Sequence, residues 1–470
     1  MHVIDFGVNG WIARFDEGAD KSHMASLGAA LGQVWSRRGG DAVVYVGFDG
    51  RRHSLEHAQV IASALAGYGL DVGLSREACP APSLGLAVAR NSRAVGGVMI
   101  TGSDAPNVYE GLIAHGPDGG SVSAGFAQAV DQAVSSADPS IQGTYQTVDL
   151  LSPYLEELQK WMNLSPGHRR LRVVVDGLHG VGGAPVAGVL KERGFDVELI
   201  HEKLRPDFAG MKPQACEPWV DDCEEAVRSL GADMGIVLDG DGMRSAVIDE
   251  RGDLVAPQHM VPLLLHYLVE ERGMRGRVVR TLPCSAGVRT EAERQNLEVT
   301  TVPVGFERLH DEILEGDVLL ACDEFGGVSL PAHLAERDGA LAALLLAEML
   351  ANDTGKRPLS RQVLAHERSV GRQHYVMCEM SLETAKLMGF ANALPGLNPK
   401  NIDRRQIVDV SHADGLKLVF DDHSWLMVRP SRRRPIVRVY AEAFSLERRD
   451  QLLGEAVAFV RGGYKTESGE

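Results

Sequence analysis

The chain has no uninterrupted apolar run of about 18 residues, so it offers no segment that would cross a membrane as a helix. It has no basic excess either: 48 Lys and Arg stand against 64 Asp and Glu, a formal net charge of -16. That balance argues against non-specific nucleic-acid binding. Cysteine is scarce, with six in 470 residues. Cys216 and Cys223 are seven apart, and no second pair completes a zinc site. Reduced, mostly buried thiols are the simplest expectation. The opening Met-His-Val-Ile-Asp-Phe-Gly has neither the basic n-region nor the long apolar h-region of a signal peptide. A cytoplasmic protein with neither nucleic-acid nor membrane partners is expected.

What remains is an ordinary globular composition, 44% apolar and 24% charged, long enough for about three or four domains. Short β-branched runs alternate with amphipathic stretches. Ala42–Val46, Leu171–Val175 and Gly235–Leu238 read as buried strands, and Ser54–Gly67 and Ala184–Arg193 as helices. A weak repeat recurs: helices ending at Gly67, Arg193 and Gln295 each run into Leu/Phe-acid-Val at Leu70, Phe195 and Leu297. A period of roughly 100 residues is too long for a solenoid and fits related α/β domains. After residue 366 the texture becomes strand upon strand, at Gln406–Val410, Leu416–Phe420, Ser424–Val428 and Ile436–Tyr440, followed by a helix over Ser445–Arg461. The fold class expected is α/β: three related α/β domains with mixed sheets and a C-terminal α+β domain around a central cleft. The boundaries expected are 1–150, 151–255, 256–365 and 366–470.

Four loops carry candidate chemistry. Thr101-Gly-Ser-Asp-Ala-Pro106 follows the strand Val98-Met-Ile100 and sets the Ser103 hydroxyl at a strand's C-terminal end. Asp239-Gly-Asp-Gly-Met-Arg244 offers two carboxylates at i and i+2 for one hard cation, with an arginine for phosphate. Cys322-Asp-Glu-Phe-Gly-Gly327 offers Glu324 to sugar hydroxyls. Arg429-Pro-Ser-Arg-Arg-Arg-Pro-Ile-Val-Arg438 places five arginines within ten residues of a net-acidic chain, and guanidinium forks match phosphate oxygens. Taken singly, the Ser103 and Glu324 loops read first as structural Gly/Ser/Asp/Pro turns, and the Asp239 and Arg429 loops read as well as a turn or a solvated basic turn. A fifth loop, Asp176–Gly183, is not G-x-G-x-x-G because Pro185 occupies the last position, and reads as a helix N-terminus packed on a sheet.

In this order the loops resemble those of the α-D-phosphohexomutase superfamily, over nearly the whole chain. The family's T-A-S-H-N-P is similar to Thr101–Pro106, with Tyr109 and Gly111 after it as in Y-N-G. D-G-D-x-D-R is similar to Asp239–Arg244, G-E-x-S-G to Asp323–Gly327, and R-P-S-G-T-E-P to Arg429–Pro435. Phe6-Gly7, Gly47–Arg51, Val173–Gly183, Val304–Phe306 and Asp338-Gly339 add to the likeness. The resemblance implies phosphoryl transfer on a hexose phosphate through phospho-Ser103 and a bisphosphate intermediate. It implies Mg²⁺ on Ser103, Asp239 and Asp241, catalysis by Ser103 and Arg244, and sugar binding by Glu324. It implies phosphate binding by Arg429, Ser431, Arg432, Arg433 and Arg438. A hexose 1,6-bisphosphate would be an activator, a phosphosugar the partner, and the assembly a monomer or homodimer.

The departures from the family pattern are as specific as the matches. Met243 stands at the third metal-loop acid, Asp104 at the histidine, Ile113 at a basic position, Gly326 at the sugar-loop serine, and Arg432–Arg434 at Gly-Thr-Glu. Ile12 and Glu307 replace further basic residues, with Arg14 and Arg308 nearby. A thioether is a poor Mg²⁺ ligand, and each lost group costs on the order of tens- to thousands-fold in rate. The alternative reading is therefore a catalytically inactive phosphosugar-binding or regulatory protein on the same fold. The extra arginines point to a ligand larger or more highly charged than a hexose phosphate.

Overall fold

A computed structural model describes residues 4–39, 41–402, 405–431 and 435–463. Among these described residues, twenty-one strands fall into four sheets. The first contains β1 (Trp11–Arg14), β2 (Val43–Phe48), β3 (Asp71–Ser75), β4 (Ala94–Ile100), β5 (Tyr109–His115) and β6 (Gln146–Val148), in the order β1-β5-β4-β2-β3-β6. The second contains β7 (Arg172–Asp176), β8 (Asp196–Ile200), β9 (Met234–Leu238), β10 (Ser245–Asp249) and β11 (Leu254–Val255), ordered β11-β10-β9-β7-β8. The third contains β12 (Arg277–Thr281), β13 (Val299–Val302), β14 (Val318–Cys322) and β15 (Val328–Ser329), ordered β13-β12-β14-β15. All three are mixed. Parallel pairs β2·β4, β7·β9 and β12·β14 lie inside, and an antiparallel partner follows each of β4, β9 and β14.

The fourth sheet is antiparallel throughout. It contains β16 (His374–Ser381), β17 (Asn401–Ile402), β18 (Arg405–Ser411), β19 (Leu416–Phe420), β20 (Trp425–Pro430) and β21 (Ile436–Ala443), ordered β16-β21-β20-β19-β18-β17. The helix Leu446–Ala458 packs on it, started by Ser445, whose hydroxyl accepts from Arg448 N.

The repeat seen in the sequence is structural. The helices Ser54–Gly67, Gly183–Glu192 and Ala286–Arg294 lead into β3, β8 and β13, the strands flanking the parallel core of each sheet. The central parallel strands are mostly buried on both faces, as their continuous Val/Ile/Leu runs require: β9 is buried at every position, whereas the flanking β8 and β13 are largely half-buried. The second and third sheets share one large core. Through it runs the helix Gly339–Asn352, apolar on nearly all sides and buried from Gly339 to Ala351. Each of its fully buried leucines contributes about 1.5–3 kcal/mol. Asp338 caps this helix by accepting from Leu341 N at 2.9 Å, and also takes the Tyr154 hydroxyl and a His333 ring nitrogen, each at 2.9 Å. At fourteen residues the helix is too short to span a bilayer, and no helix among the described residues is long and apolar enough to do so.

All six cysteines are free, four of them buried. At Gly111 a Cβ would sit 1.9 Å from the Trp11 carbonyl oxygen, so only glycine lets β1 close on β5.

Candidate active site

Each site loop is the turn of a β-hairpin. Thr101–Pro106 joins β4 to β5, Asp239–Arg244 joins β9 to β10, Asp323–Gly327 joins β14 to β15, and Ser431–Pro435 joins β20 to β21. The first three leave the C-terminal end of a parallel strand just where the chain reverses. The metal-loop motif lies in the middle. Its Asp241 Oδ2 accepts from Thr101 Oγ1 at 3.2 Å, and its Arg244 Nη2 donates to Asp323 Oδ2 at 3.3 Å. Backbone bonds reinforce both joins, from Ala81 N to Asp241 O at 2.9 Å and from Gly339 N to Gly242 O at 3.2 Å.

Ser103 is half-buried and lies in the left-handed region, φ 50°, a conformation costing on the order of 1–3 kcal/mol for a non-glycine residue. Arg51 holds it there. The Arg51 guanidinium donates to the carbonyls of Ser103 at 2.7 Å, Ala105 at 2.8 Å, and Pro106 and Tyr109 at 2.9 Å. Its Nε completes the clamp on Asp49 Oδ2 at 3.1 Å. Thr101 Oγ1 donates to that same Asp49 oxygen at 2.8 Å and accepts from Ser103 N at 2.8 Å. A Cβ on Gly102 would lie 2.6 Å from the Arg51 Cζ, so glycine where the family has alanine makes room for the guanidinium.

The electrostatics are dominated by buried carboxylates. Asp239 and Asp241 are both fully buried. Burial, and then the Asp241 charge, push Asp239 well above the usual carboxylate range; burial and the Asp49 charge raise Asp241. Asp239 Oδ1 accepts from Arg244 N at 3.1 Å, while its Oδ2 has no partner. Burial works against the charge on Arg244, but Asp323, Asp104, Asp239 and Asp241 outweigh it and keep the guanidinium protonated. A buried acid pair with an unsatisfied oxygen is the donor chemistry a hard cation fits. Asp239 and Asp241 nonetheless belong to no group of three His, Cys, Asp or Glu ligand atoms mutually within 4.8 Å among the described residues. Met243 is 1% exposed and packs with Cys79, Ala81, Leu84, Met99 and Leu150. Its thioether is a core side chain.

Glu324 Oε2 accepts from Thr281 Oγ1 at 2.8 Å, and its Oε1 is buried without a partner. Burial, then the Asp323 charge, raise its pKa. The hydroxyls of Tyr375 and Tyr440 are likewise buried and unpartnered, and the Glu324 charge contributes to the upward shift of both. Arg438 stacks over the Phe325 ring at 5.6 Å and donates to Glu379 at 3.0 Å, which brings the fourth sheet onto the sugar-loop motif. Arg429 Nε donates at 2.5 Å to Asp414 Oδ2, which also takes Val304 N at 3.0 Å. Ser431 N donates to Ile436 O at 2.9 Å, closing the hairpin. Arg432 and Arg433 lie outside the described residues. A cavity of about 600 Å³ beside this hairpin, lined by Leu387, Met388, Asp414 and Ser431, is built by the fourth unit alone and includes none of Ser103, Asp239 and Glu324.

Several contributors escape motif reading. Arg51 and Asp49 sit in the Gly47–Arg51 likeness, but the contacts they make with the Ser103 loop lie more than fifty residues away in sequence. Arg337 has no motif at all. It lies over the Phe306 ring at 4.5 Å, 3.8 Å from Asp323, and its charge acts on Asp241. Lys417 is buried between the third and fourth sheets. It donates to Leu282 O at 2.7 Å and sits 3.8 Å from the Trp425 ring centre; burial and then Arg280 push it down to about 7.

Arg51→Ala is expected to lower stability by about 3–5 kcal/mol, because it strands a buried Asp49. Gly102→Ala is expected to cost about 1–3 kcal/mol by overpacking against the pinned guanidinium. Thermal unfolding of both variants beside wild type checks the pair. A depressed lysine contributes stability that is present above its unfolded value and is lost as pH falls through about 7. Lys417→Met should therefore flatten the fall in melting temperature between alkaline and neutral pH; an unchanged profile refutes it.

Comparison with known proteins agrees with this geometry. Residues 3–140, 152–252 and 256–368 match the family models for phosphoglucomutase/phosphomannomutase α/β/α domains I, II and III. A phosphoglucomutase/phosphomannomutase of Thermococcus kodakarensis is 27% identical over 470 residues, 98% of each chain. A Methanothermobacter thermautotrophicus protein assigned as a phosphoglucosamine mutase is 27% identical, with 94% of each chain covered. The crystal structure of a Thermus thermophilus protein assigned as a phosphomannomutase superposes with a TM-score of 0.85 at 29% identity, covering 98% of this chain and 99% of that one. With three successive family domains matched over well more than half its length, the chain belongs to the phosphoglucomutase/phosphomannomutase family of the α-D-phosphohexomutase superfamily.

Proposed function

We propose that the protein is a phosphohexomutase that moves a phosphoryl group within a hexose phosphate of the glucose, mannose or glucosamine class, through phospho-Ser103 and a bisphosphate intermediate. The observation that carries the reading is the joining of the Ser103 loop to the Asp239–Arg244 loop through Thr101 and Asp241, beside an unpartnered Asp239 oxygen. Asp239, Asp241 and the Ser103 phosphate would hold Mg²⁺, which supplies charge neutralisation to the transferring group. Glu324 accepts from sugar hydroxyls, and the Arg429–Arg438 hairpin, including Ser431, Arg432 and Arg433, binds the phosphate that is not reacting. The bond from Ser103 Oγ to phosphorus breaks as a sugar hydroxyl oxygen bonds to it, the hydroxyl losing its proton and the departing Ser103 oxygen gaining one, with no net change; Arg244 offsets the charge that develops. After the bisphosphate turns over, the other phosphate returns to Ser103. We place the four domains at 1–150, 151–255, 256–365 and 366–470.

A second reading has its own support. Met243 is committed to an apolar cluster, and Asp104, where the family has histidine, adds negative charge beside Ser103. Both favour a phosphosugar-binding protein with slow or no turnover. Peptide mass analysis of freshly purified protein separates the two. Phosphate on Ser103 that exchanges with glucose 1,6-bisphosphate and phosphosugars is expected. A Ser103 that stays unlabelled with and without Mg²⁺, while phosphosugars still raise the melting temperature, establishes the binding protein instead. Mg²⁺ should itself raise the melting temperature of wild type and leave Asp239→Asn unchanged. Equal shifts in the two would remove Asp239 from the cation site. Arg432→Ala combined with Arg433→Ala should weaken phosphosugar binding at least tenfold, read by titration.

A further inference from the structure

Away from the Ser103, Asp239 and Glu324 loops, three helices of the third unit bring two imidazoles onto one carboxylate. His266 comes from the helix Pro257–Glu270, Glu291 from Ala286–Arg294 and His366 from Leu359–Val370. His266 Nδ1 lies 2.9 Å from Glu291 Oε1, and His366 Nε2 lies 3.1 Å from Glu291 Oε2. The two rings are 5.6 Å apart, centre to centre. The three ligand atoms all lie within 4.8 Å of one another. Nothing in the phosphoryl-transfer reading uses this cluster.

We propose that His266, Glu291 and His366 form a second metal site, for a divalent transition ion of the zinc class, that clips these helices together. Zinc–nitrogen and zinc–oxygen bonds of about 2.0–2.2 Å at tetrahedral angles leave ligand atoms roughly 3.3–3.5 Å apart. The two nitrogen–oxygen separations, 2.9 and 3.1 Å, need only a few tenths of an ångström of opening, and all three ligand atoms already lie within 4.8 Å of one another. The donor set selects the ion: imidazole suits zinc, copper and nickel, whereas magnesium prefers oxygen alone. The site is therefore distinct in chemistry from the Asp239–Asp241 pair. An outer partner is in place, because Gln295 Nε2 donates to Glu291 Oε1 at 2.8 Å and orients the carboxylate. Access is available on one side: the His266 side chain is 32% exposed, while Glu291 is fully buried and His366 nearly so.

Without an ion, ring N–H groups donate to the carboxylate. On binding, each ligating nitrogen gives up its proton, a neutral ring keeping one on its other nitrogen and a cationic ring releasing one to solvent. One group opposes the ion. Arg294 Nε sits 3.2 Å from Glu291 Oε2 on a side chain 43% exposed. It can swing into water, and it sets up a gain-of-affinity test.

The experiment is zinc titration of the full chain in millimolar Mg²⁺, with bound metal counted by mass spectrometry and Co²⁺ absorption read as a second signature of tetrahedral nitrogen/oxygen coordination. Wild type and Asp239→Asn should each retain one zinc per chain at this site. His366→Gln and Glu291→Gln should lose at least roughly tenfold in affinity, and Arg294→Ala should gain several-fold. The Arg294 variant keeps all three ligands, so it remains informative if a ligand variant misfolds. Retained zinc that disappears with Asp239→Asn, or that is indifferent to His366→Gln and Arg294→Ala, would overturn the proposal and leave the cluster as a hydrogen-bonded helix junction. Because the titration reads metal and not turnover, its failure is separate from any failure of the mutase reading.

Discussion

The meeting of the site loops depends on one of them being gripped from both sides. Asp239–Arg244 is bonded to the Ser103 loop through Thr101 and Asp241, and to the Asp323 loop through Arg244. Its backbone is pinned as well, to Ala81 in the first unit and to Gly339 at the start of the central helix. Two buried aspartates at the centre of such a contact would repel each other in a dry interior. Arg244 from the same loop, Arg51 beside Asp49, and Arg337 from the third unit supply the opposing charge. The sheets are held in mutual position by charges that none of them balances alone, which makes the junction a natural place for a bound cation to act.

The same topological event produces each half of the contact. In the three mixed sheets a parallel strand ends and the chain turns back antiparallel, at Ile100, Leu238 and Cys322. Ligand sites in open α/β sheets gather at the carboxyl ends of parallel strands. Here three sheets point such ends at one another, and the fourth contributes a hairpin from an antiparallel sheet. Its approach is fixed by interlocking contacts. Glu442 accepts from Ser285 Oγ at 2.5 Å, Ala286 N at 2.8 Å and Trp425 Nε1 at 2.7 Å, while Asp414 ties Arg429 to Val304.

Much of this was legible because it is local. The helix Ser54–Gly67 and the strand Leu416–Phe420 occur where apolar period and turn residues place them. The four loops could be found because their chemistry is packed into short runs of sequence. What was illegible is long-range or lacks a pattern. β16 carries no periodic signal: six of its eight residues are half-buried and Glu379 and Ser381 are exposed, in a run without clean alternation, and it owes its strand state to pairing with β21 along its whole length. Arg51 is one arginine in a Gly-rich turn until its four carbonyl partners are seen. Arg337 has no signature at all, because a cation that answers buried acids from another sheet leaves no periodic trace. For Met243, the sequence reveals the missing carboxylate but not the destination of the thioether, which is the pocket of Cys79, Leu84 and Met99.

The departures also bear on one another once charges are placed in space. Substituting Met243 takes a negative charge from the metal loop, and Asp104 brings one in from the opposite side. The Asp104 charge acts on Asp239, opposing its ionisation, and on Arg244, favouring its protonation. These are the effects a third acid of the metal loop would exert. The net charge around Asp239 is thereby largely kept while its source moves to the Ser103 loop. A carboxylate beside the phosphorylatable serine raises the electrostatic cost of a phosphate there, and that cost falls when a cation is bound between them. Under the proposed phospho-Ser103 reading, cation binding at Asp239 and Asp241 would therefore favour phosphorylation of Ser103 more strongly in this chain than with a histidine at position 104.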